Sequence, residues 1–178
     1  LAGADLRRAN QCGANLQGAR LTGANLEGSN LDEANLEEAN LEGAGLAEVS
    51  LNGAKLVGAV LRSANLVGSS LEKADLQNAD LGGVDLSEAK LTSANLNGAN
   101  LEQAFLNNTR LQWASLEGTN LSEATLDGAD LREAHLPRAE LGRASLQGVR
   151  LREAVLAETS LQGANLQDAD LAGADLTW

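Results

Sequence analysis

Leucine occupies residue 1, residue 6 and every fifth residue thereafter to Leu176, with Gln11 the one exception among 36 positions. Two residues before each, from Ala4 to Ala174, stands a small residue. It is Ala in 27 of 35 cases, and the departures are Ser29, Val49, Ser69, Val84, Thr109, Thr119, Val149 and Thr159. No insertion or deletion breaks the phase. On an α-helix five residues advance about 500°, so successive leucines step about 140° round the axis and form no stripe. On a straight strand an odd spacing sends them to opposite faces. A chain that turns a corner after every five-residue unit brings all of them to a common axis, with stacked coils pairing at about 4.8 Å. The frequent glycines, among them Gly13, Gly18 and Gly23, fall where such corners demand permissive dihedrals.

The residues that carry this repeat are Ala4-Asp5-Leu6, Ala14-Asn15-Leu16, Ala24-Asn25-Leu26 and their copies to Ala174-Asp175-Leu176. They closely resemble the pentapeptide-repeat family over the whole chain. The resemblance implies an all-β fold, a right-handed quadrilateral parallel β-helix of about nine coils of ~20 residues, as one domain over residues 1–178. The eight departures from Ala support a coil of that length independently. Sorted by position modulo 20, Ser29, Val49, Ser69, Thr109 and Val149 share one ladder, Thr119 and Thr159 a second, and Val84 stands on a third. A larger residue is tolerated best where its stacking neighbours are also larger. Near the first end, Gln11 is expected to reach water, a sign of fraying. Open coil ends expose unpaired backbone groups and invite end-to-end self-association. Trp178 is read as covering the last coil or as simply ending the chain, and Leu1, already in register without an initiator Met, as the start of an excised or processed segment.

Composition narrows the partners. Leu and Ala supply most of the 43% apolar content, and aromatics are 2%, which suits one small unit copied many times. A formal charge of −12 argues against direct binding of nucleic acid or of an anionic membrane, since both need a basic face. No stretch is long and apolar enough to insert into a membrane as a helix. Cys12 is the one cysteine, so no internal disulfide forms. A soluble protein is expected, with the cytoplasm favoured.

Candidate chemistry is sparse. His135 is the one histidine and stands just before Leu136, a position expected to point outward. A triad needs convergent groups beside a cavity, which a leucine-filled rod does not offer. Pro137 is expected to shape a corner. One Cys and one His make no zinc site, and no calcium loop or phosphate-binding glycine loop is present, so no metal and no cofactor are expected. Threonines are too scattered for an ice-binding ladder.

The surface carries more information. Residues 21–50 hold Glu27, Asp32, Glu33, Glu37, Glu38, Glu42 and Glu48 with no Lys or Arg, an acidic belt expected on all four faces of the coil. Residues 131–160 hold Arg132, Arg138, Arg143, Arg150 and Arg152 against four Glu, so the rod is electrically uneven along its length. Phe105 and Trp113 occupy positions where polar or small residues usually stand, and are expected on adjacent faces of one coil as an aromatic patch able to anchor a partner. The reading is a non-catalytic interaction or scaffolding module that meets a protein partner through its surface. The resemblance also implies a rival. Some pentapeptide-repeat proteins mimic DNA and occupy the DNA site of type II topoisomerases such as gyrase. The acidity agrees with that role, while Leu at the central positions and the lack of a C-terminal dimerisation helix speak against it.

Overall fold

The computed structural model describes residues 1–177. Every five-residue unit has the same local structure: the small residue, a bridging residue and the Leu form a short extended face, and the next two residues turn the corner. All bridges are parallel and join a residue to the one 20 further on, from Asp5–Asn25 to Val155–Asp175. Four faces therefore close each coil of a right-handed quadrilateral β-helix. Face 1 is built by residues 4–6, face 2 by 9–11, face 3 by 14–16 and face 4 by 19–21, each repeating every 20 residues, and the edges between faces are the turns.

Each corner is a β-turn closed by a bond from the small residue's N–H to the preceding Leu carbonyl, as in Ala24 N to Leu21 O at 2.9 Å. Its second turn residue has positive φ throughout, and only 16 of these 35 residues are Gly. The other 19, including Glu33, Trp113 and Arg138, hold φ between 53° and 61°, a conformation that costs a non-glycine residue about 1–2 kcal/mol. The stack over-determines them. Pro137 stands at the first turn position, where its fixed φ is suited, as expected of a corner residue.

Four of the five amides in a unit find backbone acceptors. The Leu amide donates one coil ahead (Leu26 N to Gly45 O, 2.7 Å), the bridging amide one coil back (Asn25 N to Ala4 O, 2.9 Å), and the second turn amide one coil ahead (Gly23 N to Glu42 O, 2.9 Å). The small residue's amide closes the turn. The first turn amide has no backbone acceptor. In all 18 units whose bridging residue is Asn or Asp, the side-chain Oδ1 accepts it. That bond is the physical reason for Asp or Asn before Leu in the repeat.

The interior is solid. Every leucine from Leu21 to Leu156 is at most 2% exposed, and the Ala ladders fill the space between them. Thr109, Thr119 and Thr159 enter this layer with their hydroxyls donating to Leu86 O, Leu96 O and Leu136 O, whereas Ser29 and Ser69 have enclosed Oγ atoms without a partner. Burial falls off towards both ends: Leu1 is 61% and Leu176 45% exposed. Gln11 departs from expectation. It is half-buried and its Oε1 is enclosed without a protein partner, because the leucine register points inward even in the first coil. The covering role read for Trp178 falls outside the described residues.

Candidate interaction surface

Every inward position is spent on packing, so chemical variety is confined to the bridging residues at face centres and to the turn residues on the edges. The seven belt acids are all turn residues, and they lie on the four edges and not on the faces. Glu27 and Glu48 stand on edge 1/2, Asp32 and Glu33 on edge 2/3, Glu37 and Glu38 on edge 3/4, and Glu42 on edge 4/1. The reason is local: face centres in these coils are mostly Asn, held by capping. Glu27, Glu33, Glu38, Glu42 and Glu48 are exposed. Asp32 is half-buried and committed to the fold. It accepts Ser50 Oγ at 2.6 Å and Asn52 N at 2.8 Å, replacing the cap that Ser50 cannot supply. Asn52 does the same for Ser70 and Glu72, and Asp127 for Ser145 and Gln147.

The aromatic residues are exposed but not joined. Phe105 (47% exposed) is the centre of face 1, stacked between Asp85 and Thr125. Trp113 (56% exposed) is the second turn residue of edge 2/3. The whole of face 2, with Arg110 at its centre, lies between them. Adjacent units do not make a shared patch when one residue sits mid-face and the other at the far corner.

His135 is exposed at the centre of face 3, between Ser115 and Val155. Among the described residues no three His, Cys, Asp or Glu side chains are grouped as a metal would need. The depression of about 400 Å³ on edge 4/1 is lined by turn residues alone: Ser122, Glu123, Gly142, Arg143, Gln162 and Gly163. A second, of about 500 Å³, is lined by Asp5, Arg7, Arg8 and Glu27. There Arg7 grips Asp5 through two hydrogen bonds of 2.9 and 2.7 Å, which lower the Asp5 carboxyl to about 2.

Sequence reasoning missed Asp130. It is the centre of face 2 and only 7% exposed. Arg132 donates to it from Nε and Nη2, each at 2.8 Å, Gln112 Nε2 donates at 2.8 Å, and Arg150 Nη1 lies 3.6 Å away. Burial pushes the Asp130 carboxyl up, but the hydrogen bonds and charge of Arg132, with the charge of Arg150, outweigh it and hold the group below its ordinary value. Its sequence signal was the spacing of 20 that places Arg150 over Asp130, with Arg132 two residues on.

A leucine-cored, four-sided solenoid with side-chain-capped corners defines a repeat protein whose chemistry lies on its outside. The family model described as Pentapeptide repeats matches this chain in eight copies, over residues 1–28, 13–46, 44–83, 69–108, 106–143 and 139–177. The chain belongs to the pentapeptide-repeat family. No curated protein matches the sequence. Among solved structures it is similar to HetL, a pentapeptide-repeat protein involved in heterocyst differentiation regulation in the cyanobacterium Nostoc sp. strain PCC 7120. The identity is 31% over 94% of this chain and 88% of that one, with a TM-score of 0.41. It is also similar to trypsin-treated QnrB1, a plasmid-mediated fluoroquinolone resistance protein, at 21% identity over 96% of this chain and 88% of that one, with a TM-score of 0.52, a likeness of fold. No helix of the described residues is long and apolar enough to cross a membrane.

Proposed function

We propose that residues 1–178 act as one rigid, non-catalytic interaction or scaffolding module that meets a protein partner through its edges and faces. One observation carries this reading: side chains in the leucine and alanine registers are consumed by the core across the middle coils, so recognition falls to the outer positions. A rigid stack loses little conformational entropy on binding. The contact surfaces are Trp113, Phe105 and the belt residues Glu27, Glu33, Glu37, Glu38, Glu42 and Glu48; Asp32 serves the fold. Unpaired acids clustered on the edges steer a charged partner and set its orientation more than they set affinity. The test is a pull-down comparing wild type with Trp113→Ala and with a variant whose belt glutamates are changed to Gln. Each change is expected to lose captured proteins, and capture of the same set by all three sinks the assignment.

The charge of −12 favours a second reading, mimicry of DNA at a type II topoisomerase. Leucine at the central positions and the cations gathered on face 2 weigh against it. A supercoiling assay decides: unchanged gyrase activity at high protein concentration removes the mimic.

A further inference from the structure

Between residues 81 and 177 there are seven Lys and Arg, and five of them lie on face 2 or its bordering edge 2/3. Lys90, Arg110 and Arg150 are face centres in one ladder with Asp130, and Arg132 and Arg152 stand on the edge beside them. All five are exposed. Over the same coils the remaining faces and edges carry ten acids against Arg138 and Arg143. The strip itself also holds Asp130, Glu133, Glu153 and Asp170, so it is net positive by one charge where the rest of these coils is net negative by eight.

Three features separate it from a merely solvated surface. Three of the four face 2 centres from Lys90 to Arg150 carry a cation in place of a turn cap: Asn10 and Asn30 cap their corners and Asp130 does too, but Lys90, Arg110 and Arg150 cannot. Asp130 offers no free carboxylate on the strip, because Arg132 and Gln112 saturate it and it is covered by them and Arg150. It instead fixes the Arg132 guanidinium, which stays 48% exposed, and draws in that of Arg150. Lys90 and Arg110 make no ion pair among the described residues. Trp113, exposed on edge 2/3 between Ser93 and Glu133, borders the strip.

We propose that this strip docks a short, extended, acidic segment of a partner protein, deepening the interaction reading on which it rests. Its length selects the occupant. From Lys90 to Arg150 is three coil spacings, about 14 Å, which an extended peptide spans with four or five residues. A nucleic acid would overrun it, into the Glu72–Lys73 corner, which adds no net positive charge, on one side and Asp170 on the other, and would meet the acidic belt beyond. An acidic peptide is repelled by the acids among those groups and so is held in register.

The test titrates the 1–178 chain into a fluorescein-labelled peptide of about six consecutive glutamates, followed by polarisation. Binding is expected at about 50 mM salt and is expected to weaken at least tenfold by about 300 mM. Lys90→Ser with Arg110→Ser is expected to weaken it tenfold or more. Arg138→Ser with Arg143→Ser removes the same charge from other edges and is expected to stay within twofold. Far-UV circular dichroism checks that both variants keep the fold. Equal loss in the two variants, absence of binding at low salt, or tighter binding of a single-stranded oligonucleotide than of the peptide overturns the proposal. If the strip fails while Trp113→Ala or the belt variant still loses partners in the pull-down, only the strip is wrong; if all fail, the interaction reading goes with it.

Discussion

The coils of residues 21–50 and those of residues 90–152 have one interior and two different exteriors. In both, leucines and small residues are enclosed to 2% exposure or less. In the first, the face centres are Asn25, Asn30, Asn35, Asn40, Gly45 and Ser50, four of them capping their turns, and charge appears only on the edges. In the second, caps give way at Lys90, Phe105, Arg110, His135 and Arg150, and charge and aromatic surface move onto the faces. The difference teaches that core and surface are uncoupled in this fold. A face centre can either cap the turn beneath it or carry charge or an aromatic ring outward; the first region mostly caps, while the second keeps caps at Asn95, Asn100, Asn120 and Asp130 and gives up the rest.

Breaking the shared interior has the largest effect. Leu86→Ala is expected to destabilise by about 2–5 kcal/mol, since Leu86 is fully enclosed between coils. Leu6→Ala, in a partly exposed terminal coil, is expected to cost well under half of that, and thermal melts of the two compare them. Equal losses would deny that stability belongs to the stack.

Next comes the buried carboxylate of the second region. Asp130→Asn leaves Arg132 without its counter-charge and is expected to destabilise by about 1–2 kcal/mol near neutral pH. Because the folded carboxyl lies below its ordinary value of 3.8, its stabilisation is full above that value and is lost as pH falls through the lower folded one. The gap between wild type and variant in urea melts should therefore be constant above about pH 5, narrow as the pH falls below about 4, and close only once the pH lies below the folded value. A gap that persists there contradicts the ion-pair account.

The caps sharpen the contrast more gently. Asn95→Ala removes the bond to Asn97 N at 3.2 Å and is expected to cost about 1 kcal/mol, while Lys90→Ala, where no cap exists, should stay within about 0.5 kcal/mol. Smallest of all, Glu37→Gln with Glu38→Gln in the belt should leave the melting temperature unchanged or slightly raised, since like charges are removed from one exposed edge.

The fold was legible because its signal is a one-dimensional period: leucine at every fifth residue excludes helix and flat strand by geometry alone. The 20-residue coil was legible too, in the clustering of Ser29, Val49, Ser69, Thr109 and Val149, which the bridges stack on one ladder. The surface was harder. The Asn and Asp before Leu stand out in the sequence as a family signature, although their reach to the amide two residues on is ordinary turn chemistry that explains them. The belt reads as lying on faces because the period alone does not distinguish turn from face positions. Phe105 and Trp113 read as neighbours for the same reason. The strip from Lys90 to Arg152 is scattered over 63 residues of chain and gathers only when charges are sorted by face as well as by position.

Residue-by-residue amide hydrogen exchange tests the central claim most directly. A stacked coil of five-residue units predicts strong protection at four of every five amides through residues 21–156. The fifth, at the first turn position, should exchange fastest where no side chain caps it, as at Ala47, Val57 and Asn107. Protection in unbroken runs, as in helices, or in alternation, as in an edge strand, would contradict it.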